Sequence, residues 1–364
     1  MTERRPRIGL FAEAFGFGPA SKVWTVASAC HEALGAELVG VGVSVSAEYF
    51  AKEHCGSLIT LDPRAGLSPD QIEAVVRQID VAVVGLQPEW VGALTGKVPV
   101  AYIDSLGFMW NDGHFDRYSN LRNVDAYIAQ DCFGAVAKLQ TRGIKNLVSV
   151  GAIIAPHPHA EIARRDGSIV HLGGLINIYN PGNGSFYASF ALSLVDNLAS
   201  EILASGEVEQ YLPRSSFRWR RADNWEALQE FSRRKTVYTS PGLTALLEMA
   251  ACNADVVPLP PQNYSQALIV NHIARLMPDD SVWAFLSERY SLAEGLEEQA
   301  AVEAVHVWNR HYAENEDFAR RYRESVERNG GQPLPDHLRS RGNGCAACVD
   351  TIRRLLGLSH SHTS

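Results

Sequence analysis

Residues 236–266 read TVYTSPGLTALLEMAACNADVVPLPPQNYSQ, and this stretch decides the fold that we expect. A short β-branched strand runs into a Ser-Pro-Gly turn at 240–242, an apolar helix follows, and a second strand ends in a Pro-Pro-Gln-Asn loop at 260–263. This order is typical of a parallel sheet, with the helix N-terminus at the carboxyl edge of the strands. The free N–H groups and positive dipole end of such a helix make this edge a place to hold a diphosphate.

The polar residues around the turn extend this interpretation. Glu248 follows the turn by one to two helical turns, within reach of a ribose, and the amides of the loop at 260–263 can bind sugar hydroxyls. The alternative is an ordinary α/β unit in which Ser-Pro-Gly only starts a helix, because helix capping alone favours the same residue types. The sequence leaves both interpretations open.

The arrangement resembles the donor half of GT-B glycosyltransferases, and most of all the inverting branch that contains MurG-like and natural-product transferases. The close match covers the stretch quoted above, and a looser two-domain pattern covers most of the chain. The resemblance implies that a UDP-sugar is the co-substrate and that no other cofactor is needed. It assigns the diphosphate to the turn and helix start, the ribose to the glutamate and the donor sugar to the following loop, through Ser240, Gly242, Leu243, Thr244, Glu248, Gln262, Asn263 and Gln266.

Length and composition set the broad class. The chain has 364 residues, which is comfortable for two domains, and its 46% hydrophobic and 20% charged residues describe a globular protein. A formal net charge of −8 argues against a nucleic-acid partner. The sequence has no apolar run long enough to span a bilayer and no signal-peptide pattern at its start, so we expect no membrane partner and a cytoplasmic location.

Six cysteines scattered along the chain indicate reduced thiols rather than a disulfide framework. Cys345 and Cys348 have the spacing of a redox or metal motif, but a second such pair that would complete a zinc site is missing. The pair is expected at the solvent-facing start of a helix.

Short apolar segments alternate with helical ones and predict an α/β fold of the GT-B type, with two Rossmann-like, doubly wound domains facing a central cleft. Expected helices include 22–34, 68–78, 186–204 and 224–234. Two prolines near residue 156 mark a stiff connector. The predicted division is an acceptor domain at 1–155, a linker at 156–166, a donor domain at 167–300, and C-terminal helices and a tail at 301–364 that in the resembled family often pack back on the first domain.

Four further residues are candidates for donor binding. Gly173 and Gly174 follow a strand and offer backbone N–H groups, and Asn177 in the next loop adds a side-chain donor. Arg220 lies where the family places the segment that meets the nucleotide base, although an edge strand with solvated arginines explains it equally well. The Asp-x-Asp signature of metal-dependent transferases is missing, so we expect no metal ion.

The catalytic base has to be assigned among residues at the strand ends. Inverting relatives often place a histidine near the first glycine-rich loop, but this chain has FGFGP at 15–19. The remaining candidates are Asp104 and Glu13, each at a strand end, where a shielded carboxylate has the raised pKa that a base needs. A carboxylate that only caps the following turn is the competing explanation.

Aromatic and glycine residues near these strand ends are candidates for acceptor binding, namely Phe17, Gly18 and Trp110. The segment at 104–114 is equally consistent with an Ω-like loop that packs on its own side chains.

The leading hypothesis is therefore an inverting, metal-independent transfer of a sugar from a UDP-sugar, UDP-glucuronate among the candidates, to a small soluble acceptor such as a nucleobase or another natural-product precursor. The overall pattern is similar to cytosylglucuronic acid synthases of nucleoside-antibiotic pathways. The alternatives are a nucleotide-sugar hydrolase or epimerase of the same fold, and a non-catalytic nucleotide-sugar-binding protein. The oligomeric state, monomer or homodimer, is left open.

Overall fold

The computed structural model describes residues 4–61, 68–155, 165–175, 182–199, 201–204, 211–212, 217–339 and 342–358. The chain divides into two compact units. Unit 1 comprises Met1–Ile154 together with Gly342–Ser364, and unit 2 comprises Ala155–Arg341. The predicted linker at 156–166 falls mostly at 156–164, outside the described residues.

Unit 1 is built on a parallel sheet with the strand order β3-β2-β1-β4-β5-β6-β7. Its strands are β1 Arg7–Ala12, β2 Glu37–Gly42, β3 Ser57–Thr60, β4 Val81–Gly85, β5 Val100–Asp104, β6 Ala126–Gln130 and β7 Leu147–Val150. Its helices are α1 Gly18–Leu34, α2 Val45–Lys52, α3 Pro69–Val76, α4 Pro88–Leu94, α5 Asp112–Arg117, α6 Ala135–Gln140 and, from the end of the chain, α15 Cys345–Leu355, with a 3-10 helix at Ser119–Asn123.

Two apolar cores cover the two faces of this sheet, which explains its near-continuous hydrophobic strands. In β4 every residue is buried. Side chains alternate between the faces, so that Leu10 and Ile103 pack with α1 and α15, whereas Phe11 and Tyr102 pack with α4 and α5. A sheet with helices on both faces is the doubly wound arrangement that the sequence predicts.

Unit 2 has a second sheet with the order β10-β9-β8-β11-β12-β13, parallel except for the short last strand. Its strands are β8 Asp166–Leu172, β9 Glu201–Ala204, β10 Arg218–Arg221, β11 Arg234–Thr239, β12 Asp255–Pro258 and β13 Gln332–Pro333. Its helices are α7 Asn183–Val195, α8 Asn224–Arg233, α9 Leu243–Ala251, α10 Tyr264–Ala274, α11 Val282–Arg289, α12 Glu298–Ala313, α13 Glu316–Asn329 and α14 Asp336–Arg339.

The prediction of one long helix over 186–204 is wrong. The helix ends at Val195, because Asp196 adopts an extended backbone and Asn197 has a φ of 70°. The chain then re-enters the sheet, and β9 pairs in parallel with β8. A short apolar run such as Ile202-Leu203-Ala204 does not by itself distinguish a helix from a buried strand, and here tertiary pairing decides.

The chain from residue 301 onward is shared between the units. Helices α12 to α14 belong to unit 2, whereas α15 belongs to unit 1 and packs against α1. Among the residues described, none of the helices combines the length and the apolar character that crossing a bilayer requires.

The expectation that Cys345 and Cys348 face solvent is wrong, although the helix does begin at Cys345. Both thiols are buried in unit 1 near Cys30, since α15 turns this face towards α1. Burial raises the pKa of Cys345 to about 11 and that of Cys30 to about 12. These thiols therefore stay protonated at neutral pH. In the described part of the chain there is no group of three or more His, Cys, Asp and Glu side chains that could hold a metal ion.

Candidate functional site

The candidate site in unit 2 begins at the point where the strand order reverses, between β8 and β11. In open α/β sheets ligands bind at such a switch point, outside the carboxyl ends of the strands. Ser240, after β11, donates from Oγ to the carbonyl of Gly173, after β8, at 3.2 Å. Gln262, after β12, donates from Nε2 to the same carbonyl at 2.7 Å. Two predicted side chains from neighbouring strand ends thus donate to the carbonyl oxygen of a third predicted residue, Gly173.

Two glycines, Gly174 and Gly242, lie at this edge of the sheet. Gly174 is exposed with a φ of 72°, a conformation that strongly favours glycine, and a Cβ there would lie 3.8–3.9 Å from the side-chain amides of Gln262 and Gln266. Gly242 is the N-cap of α9 and is extended, and a Cβ at this position would meet no described atom within 4 Å. There is therefore open space beside Gly242, at the N-terminus of a helix.

Helix α9 presents the N–H groups that the sequence predicts for a diphosphate. Its N-cap is a glycine, and none of the described side chains bonds to this helix end as a cap. In contrast, Asn263 caps the next helix, α10, by accepting from the Gln266 N–H at 3.1 Å. The first N–H groups of α9, including those of Leu243 and Thr244, are suited to an anion for this reason.

Glu248 lies farther along α9 and is only 5% exposed. Its charge is close enough to help raise the pKa of Cys252, the C-cap residue of this helix, although burial of that thiol is the larger cause. Leu243 is buried and Thr244 is half-buried at the start of the helix. All the residues predicted at the turn and on the helix therefore lie on one element that starts at the switch point.

The loop at 260–263 is held from behind by buried side chains, none of which the sequence analysis identified. Each of them donates a hydrogen bond to a backbone carbonyl of this loop or of the preceding strand end. The bonds run from Tyr187 to Pro260 at 2.6 Å, from Asn309 to Pro261 at 2.9 Å, from Tyr322 to Pro258 at 3.0 Å, and from the ring of His306 to Gln262.

These hydrogen bonds occupy the carbonyl groups of the loop on its buried side. They thereby determine which other groups of the loop lie next to the glycines. Asn309 is fully buried and also accepts from the Tyr290 hydroxyl at 2.6 Å. Within the loop, the N–H of Gln262 donates to Oε1 of Gln266 at 2.9 Å. The side-chain amides of Gln262 and Gln266 are thereby left beside Gly174, as hydrogen-bonding groups at the edge of the sheet.

His171 is a further residue of the site that the sequence analysis missed. It precedes the Gly173–Gly174 pair on β8, is buried, and its Nδ1 lies 3.0 Å from Oγ1 of Thr239 on β11. Burial lowers its pKa to about 4, so the imidazole is neutral at physiological pH. A histidine near a strand end, two residues before a pair of glycines, was the available signal.

We expect the free energy of unfolding to decrease as the pH is lowered, because His171 becomes protonated. Its pKa is depressed in the folded state, from 6.5 to about 4, so the unfolded chain takes up a proton first as the pH drops. The contribution of this group to the free energy of unfolding is roughly 3 kcal/mol. It is fully present above pH 6.5 and is lost between pH 6.5 and 4. Denaturant unfolding at several pH values measures this loss, and His171→Asn should remove it. An unchanged pH dependence in the variant would contradict this assignment.

One predicted donor-binding residue, Arg220, is not part of this arrangement. Arg220 lies on the edge strand β10, which β9 separates from β8. Its guanidinium forms ion pairs with Glu201 at 3.3 Å and with Glu230 at 3.2 Å, so it is engaged within unit 2. Asn177 falls outside the described residues.

In unit 1, Asp104 is fully buried at the end of β5. Its carboxylate accepts from the Tyr127 hydroxyl at 2.5 Å, the Leu106 N–H at 2.7 Å and the Trp110 indole at 3.1 Å. Burial raises the pKa of this carboxyl, and the hydrogen bonds oppose the rise. In this geometry Asp104 anchors the loop that follows β5, and it has no exposed surface from which to take a proton from an acceptor.

Glu13 is the other predicted base and is half-buried after β1. Its backbone N–H donates to the Gly85 carbonyl at 3.0 Å, which places it beside the end of β4. Trp110 is half-buried and stacks on His114, with 4.2 Å between ring centroids. Phe17, the N-cap of α1, and Gly18, its first residue, lie at the other end of the same β1–α1 connection.

The comparisons with known proteins establish the fold. None of the protein-family models matches the chain, and none of the curated sequences does. UGT89C1 of Arabidopsis thaliana, solved with quercetin, is 10% identical, with a TM-score of 0.55 over 98% of this chain and 100% of that one. UGT71G1 of Medicago truncatula, solved with UDP-glucose, is 12% identical, with a TM-score of 0.53 over 98% and 99%.

A UDP-glucosyltransferase of Polygonum tinctorium, solved with 3,4-dichloroaniline, is 10% identical, with a TM-score of 0.53 over 99% of this chain and 100% of that one. The chain thus has the GT-B fold, as the sequence predicts. At these identities the likeness is one of architecture, and the chemistry has to be argued from the residues of the site.

Proposed function

We propose that this protein is a glycosyltransferase that takes its sugar from a UDP-sugar bound at the switch point of unit 2. The observation that carries the proposal is the convergence of Gly173 and Gly174, the uncapped start of α9, and the Gln262 side chain at one edge of the sheet. The GT-B fold, shared with structures that hold UDP-glucose and UDP, supports the same conclusion.

The residues divide the donor between them. The N–H groups at the start of α9 bind the diphosphate and stabilise the charge that grows on it as the sugar leaves. Glu248 binds the ribose hydroxyls, and Gln262 and Gln266 bind the hydroxyls of the donor sugar. Unit 1 binds the acceptor, with Phe17, Gly18 and Trp110 at its carboxyl edge.

We propose the inverting course, in which the acceptor attacks the anomeric carbon from the side opposite the diphosphate. One bond forms to the acceptor, the bond from carbon to the diphosphate oxygen breaks, UDP leaves, and the acceptor proton passes to a base. Glu13 is the base that we favour, because it is partly accessible whereas Asp104 is buried under three hydrogen bonds. In its more specific form, this proposal includes a UDP-glucuronate donor, a nucleobase-like acceptor, similarity to cytosylglucuronic acid synthases and a cytoplasmic location.

A thermal-unfolding panel of nucleotides and nucleotide sugars tests the donor. A ligand at about 100 times its dissociation constant stabilises the folded protein by roughly 2.7 kcal/mol. We expect UDP and one UDP-sugar to raise the unfolding temperature, and ADP and GDP to leave it unchanged. No response to any uridine nucleotide would overturn the proposal.

Product analysis with the UDP-sugar that responds separates the alternatives. A transferase yields UDP and a conjugate, a hydrolase yields UDP and free sugar, an epimerase yields an isomeric UDP-sugar, and a binding protein yields no product. We expect UDP and a conjugate.

A further inference from the structure

The carbonyl oxygen of Ser240 lies at the centre of the turn that precedes α9. It accepts from the N–H of Gly242, the N-cap residue of α9, at 2.7 Å, and this bond closes the Ser-Pro-Gly turn. It also accepts from Oγ1 of Thr239, the last residue of β11, at 3.0 Å. The direction in which α9 leaves the sheet, and with it the direction of its first N–H groups, therefore depends on how this carbonyl is held.

His171 is connected to this carbonyl through Thr239. The two residues are partners in the parallel pairing of β8 with β11, and Nδ1 of His171 lies 3.0 Å from Oγ1 of Thr239. Both side chains are buried. The imidazole ring packs edge-on against Phe231 of α8, with 5.1 Å between the ring centroids. The ring is thereby held between a strand and a helix, with its Nδ1 at the threonine hydroxyl.

The hydroxyl of Thr239 carries one proton, and the geometry indicates which neighbour receives it. If the proton pointed to Nδ1 of His171, lone pairs of Thr239 Oγ1 and of the Ser240 carbonyl would face each other at 3.0 Å. If it points to Ser240, each hydrogen bond has one donor and one acceptor, provided that Nδ1 of His171 is protonated and donates to Oγ1. Burial lowers the pKa of His171 to about 4, so the ring is neutral at physiological pH and has only one N–H to place.

A second bond runs back from the turn to β8. Ser240 donates from Oγ to the Gly173 carbonyl at 3.2 Å, and a Cβ at Gly173 would lie 3.4 Å from Cε1 of His171. The ring, the turn and the glycine therefore lie together at the switch point of unit 2. We call His171, Thr239 and Ser240 the turn relay. Its hydrogen bonds all point from the imidazole towards the carbonyl, and bonds in such a series polarise and strengthen one another.

We propose that His171 is a positioning residue for the donor diphosphate: with its proton on Nδ1, it orients the turn at 240–242 through the Thr239 hydroxyl and so directs the first N–H groups of α9 at the anion. The inference rests on the proposed function and adds to it a residue that acts through other residues rather than on the donor itself. Donors that are fixed before the ligand binds need no reorganisation when charge develops on the diphosphate. A turn without this support still forms, but its N–H groups are directed less strictly.

The position of the ring proton is measured by NMR on the full chain without ligand. Two-bond proton–nitrogen spectra distinguish a protonated from an unprotonated ring nitrogen. The chain has 12 histidines, and the signals of His171 are those that disappear in His171→Asn. We expect Nδ1 to be protonated and Nε2 to be unprotonated in the wild type, and this preference to weaken in Thr239→Val. A proton on Nε2 in the wild type would overturn the proposal.

Binding of UDP, inorganic pyrophosphate and uridine shows whether the turn relay acts on the diphosphate. Affinities are measured by calorimetry for the wild type, Thr239→Val and His171→Phe. We expect both variants to bind UDP and pyrophosphate about three- to tenfold more weakly than the wild type. Uridine, which has no phosphate to meet the start of α9, should keep its affinity within about twofold.

Two conservative variants should restore binding. Thr239→Ser keeps the hydroxyl, and His171→Asn offers an amide N–H in place of Nδ1–H, so both should bind UDP within about twofold of the wild type. Thr236→Val is the matched control, because Thr236 lies on the same strand but outside the turn relay. It should bind all three probes as the wild type does.

Failure of this proposal and failure of the proposed function give different results. Equally tight UDP binding by the wild type, Thr239→Val and His171→Phe would overturn the role of His171 and leave the donor proposal standing. Equal weakening of UDP and uridine would also overturn it, because His171 would then only stabilise the fold. If the wild type does not bind UDP but pyrophosphate binding follows the expected order of variants, the uridine donor is refuted and the turn relay is supported.

Discussion

Replacing Glu248 by alanine is expected to weaken UDP binding by roughly 10- to 100-fold. A hydrogen bond to a charged group contributes about 1.5–3 kcal/mol, and 1.4 kcal/mol corresponds to a tenfold change in affinity. Because Glu248 is only 5% exposed, a ribose hydroxyl that reaches it binds a largely dehydrated carboxylate. Isothermal titration of the wild-type protein and the variant with UDP measures the effect directly.

A nucleotide without its ribose hydroxyls makes this experiment specific. The wild-type protein should bind 2′,3′-dideoxy-UDP more weakly than UDP, whereas Glu248→Ala should bind the two about equally. Glu303→Ala, an exposed substitution on α12, is the matched control and should retain wild-type affinity. If Glu248→Ala still distinguishes the two nucleotides as the wild type does, Glu248 is not the ribose ligand.

The sequence predicts the unit 2 turn correctly because its residue types have local conformational preferences. Gly174 takes a positive φ, and Gly242 leaves open space at the start of α9. Pro241 precedes a helix start, and the apolar strands on either side read as buried parallel strands. These signals depend on near neighbours in the chain, so one sequence is enough to reveal them.

The side chains that hold the loop at 260–263 are not predicted from the sequence in this way, because they come from distant segments of the chain. Tyr187 reaches Pro260 from α7, and Asn309 reaches Pro261 from α12. Neither side chain is marked by a local pattern, because its role exists only once the helices have packed. The same holds for Asp104, whose strand-end position is readable from the sequence while its donor Tyr127 comes from the neighbouring strand β6.

The strand β9 shows the same limit for secondary structure. Residues 201–204 follow a helix in an apolar context, and this local pattern favours continuation of the helix. What makes them a strand is pairing with β8 on one side and β10 on the other. Local preference was outweighed by sheet formation, which places the pairing partners many residues away.

Asn309→Ala is expected to destabilise the protein by roughly 2–6 kcal/mol. The substitution leaves the Pro261 carbonyl and the Tyr290 hydroxyl without their buried partner, and each unpaired group costs about 1–3 kcal/mol. Denaturant unfolding measures this loss. Because Asn309 fixes the loop that carries Gln262, the variant should also bind the UDP-sugar more weakly than the wild type, in a titration under conditions where both proteins remain folded.

The double variant Tyr290→Phe/Asn309→Ala separates pairing from packing. Tyr290→Phe removes the hydroxyl that loses its hydrogen-bond partner in Asn309→Ala. The double variant should therefore be destabilised by less than the sum of the two single variants. Gln299→Ala is the control on the same helix, since Gln299 is exposed and bonds only to Glu303 among the contacts that the structure gives it. It should stay within about 0.5 kcal/mol of the wild type. Strict additivity of the two buried substitutions would mean that the cost arises from lost volume, and that Asn309 does not hold the loop through its hydrogen bonds.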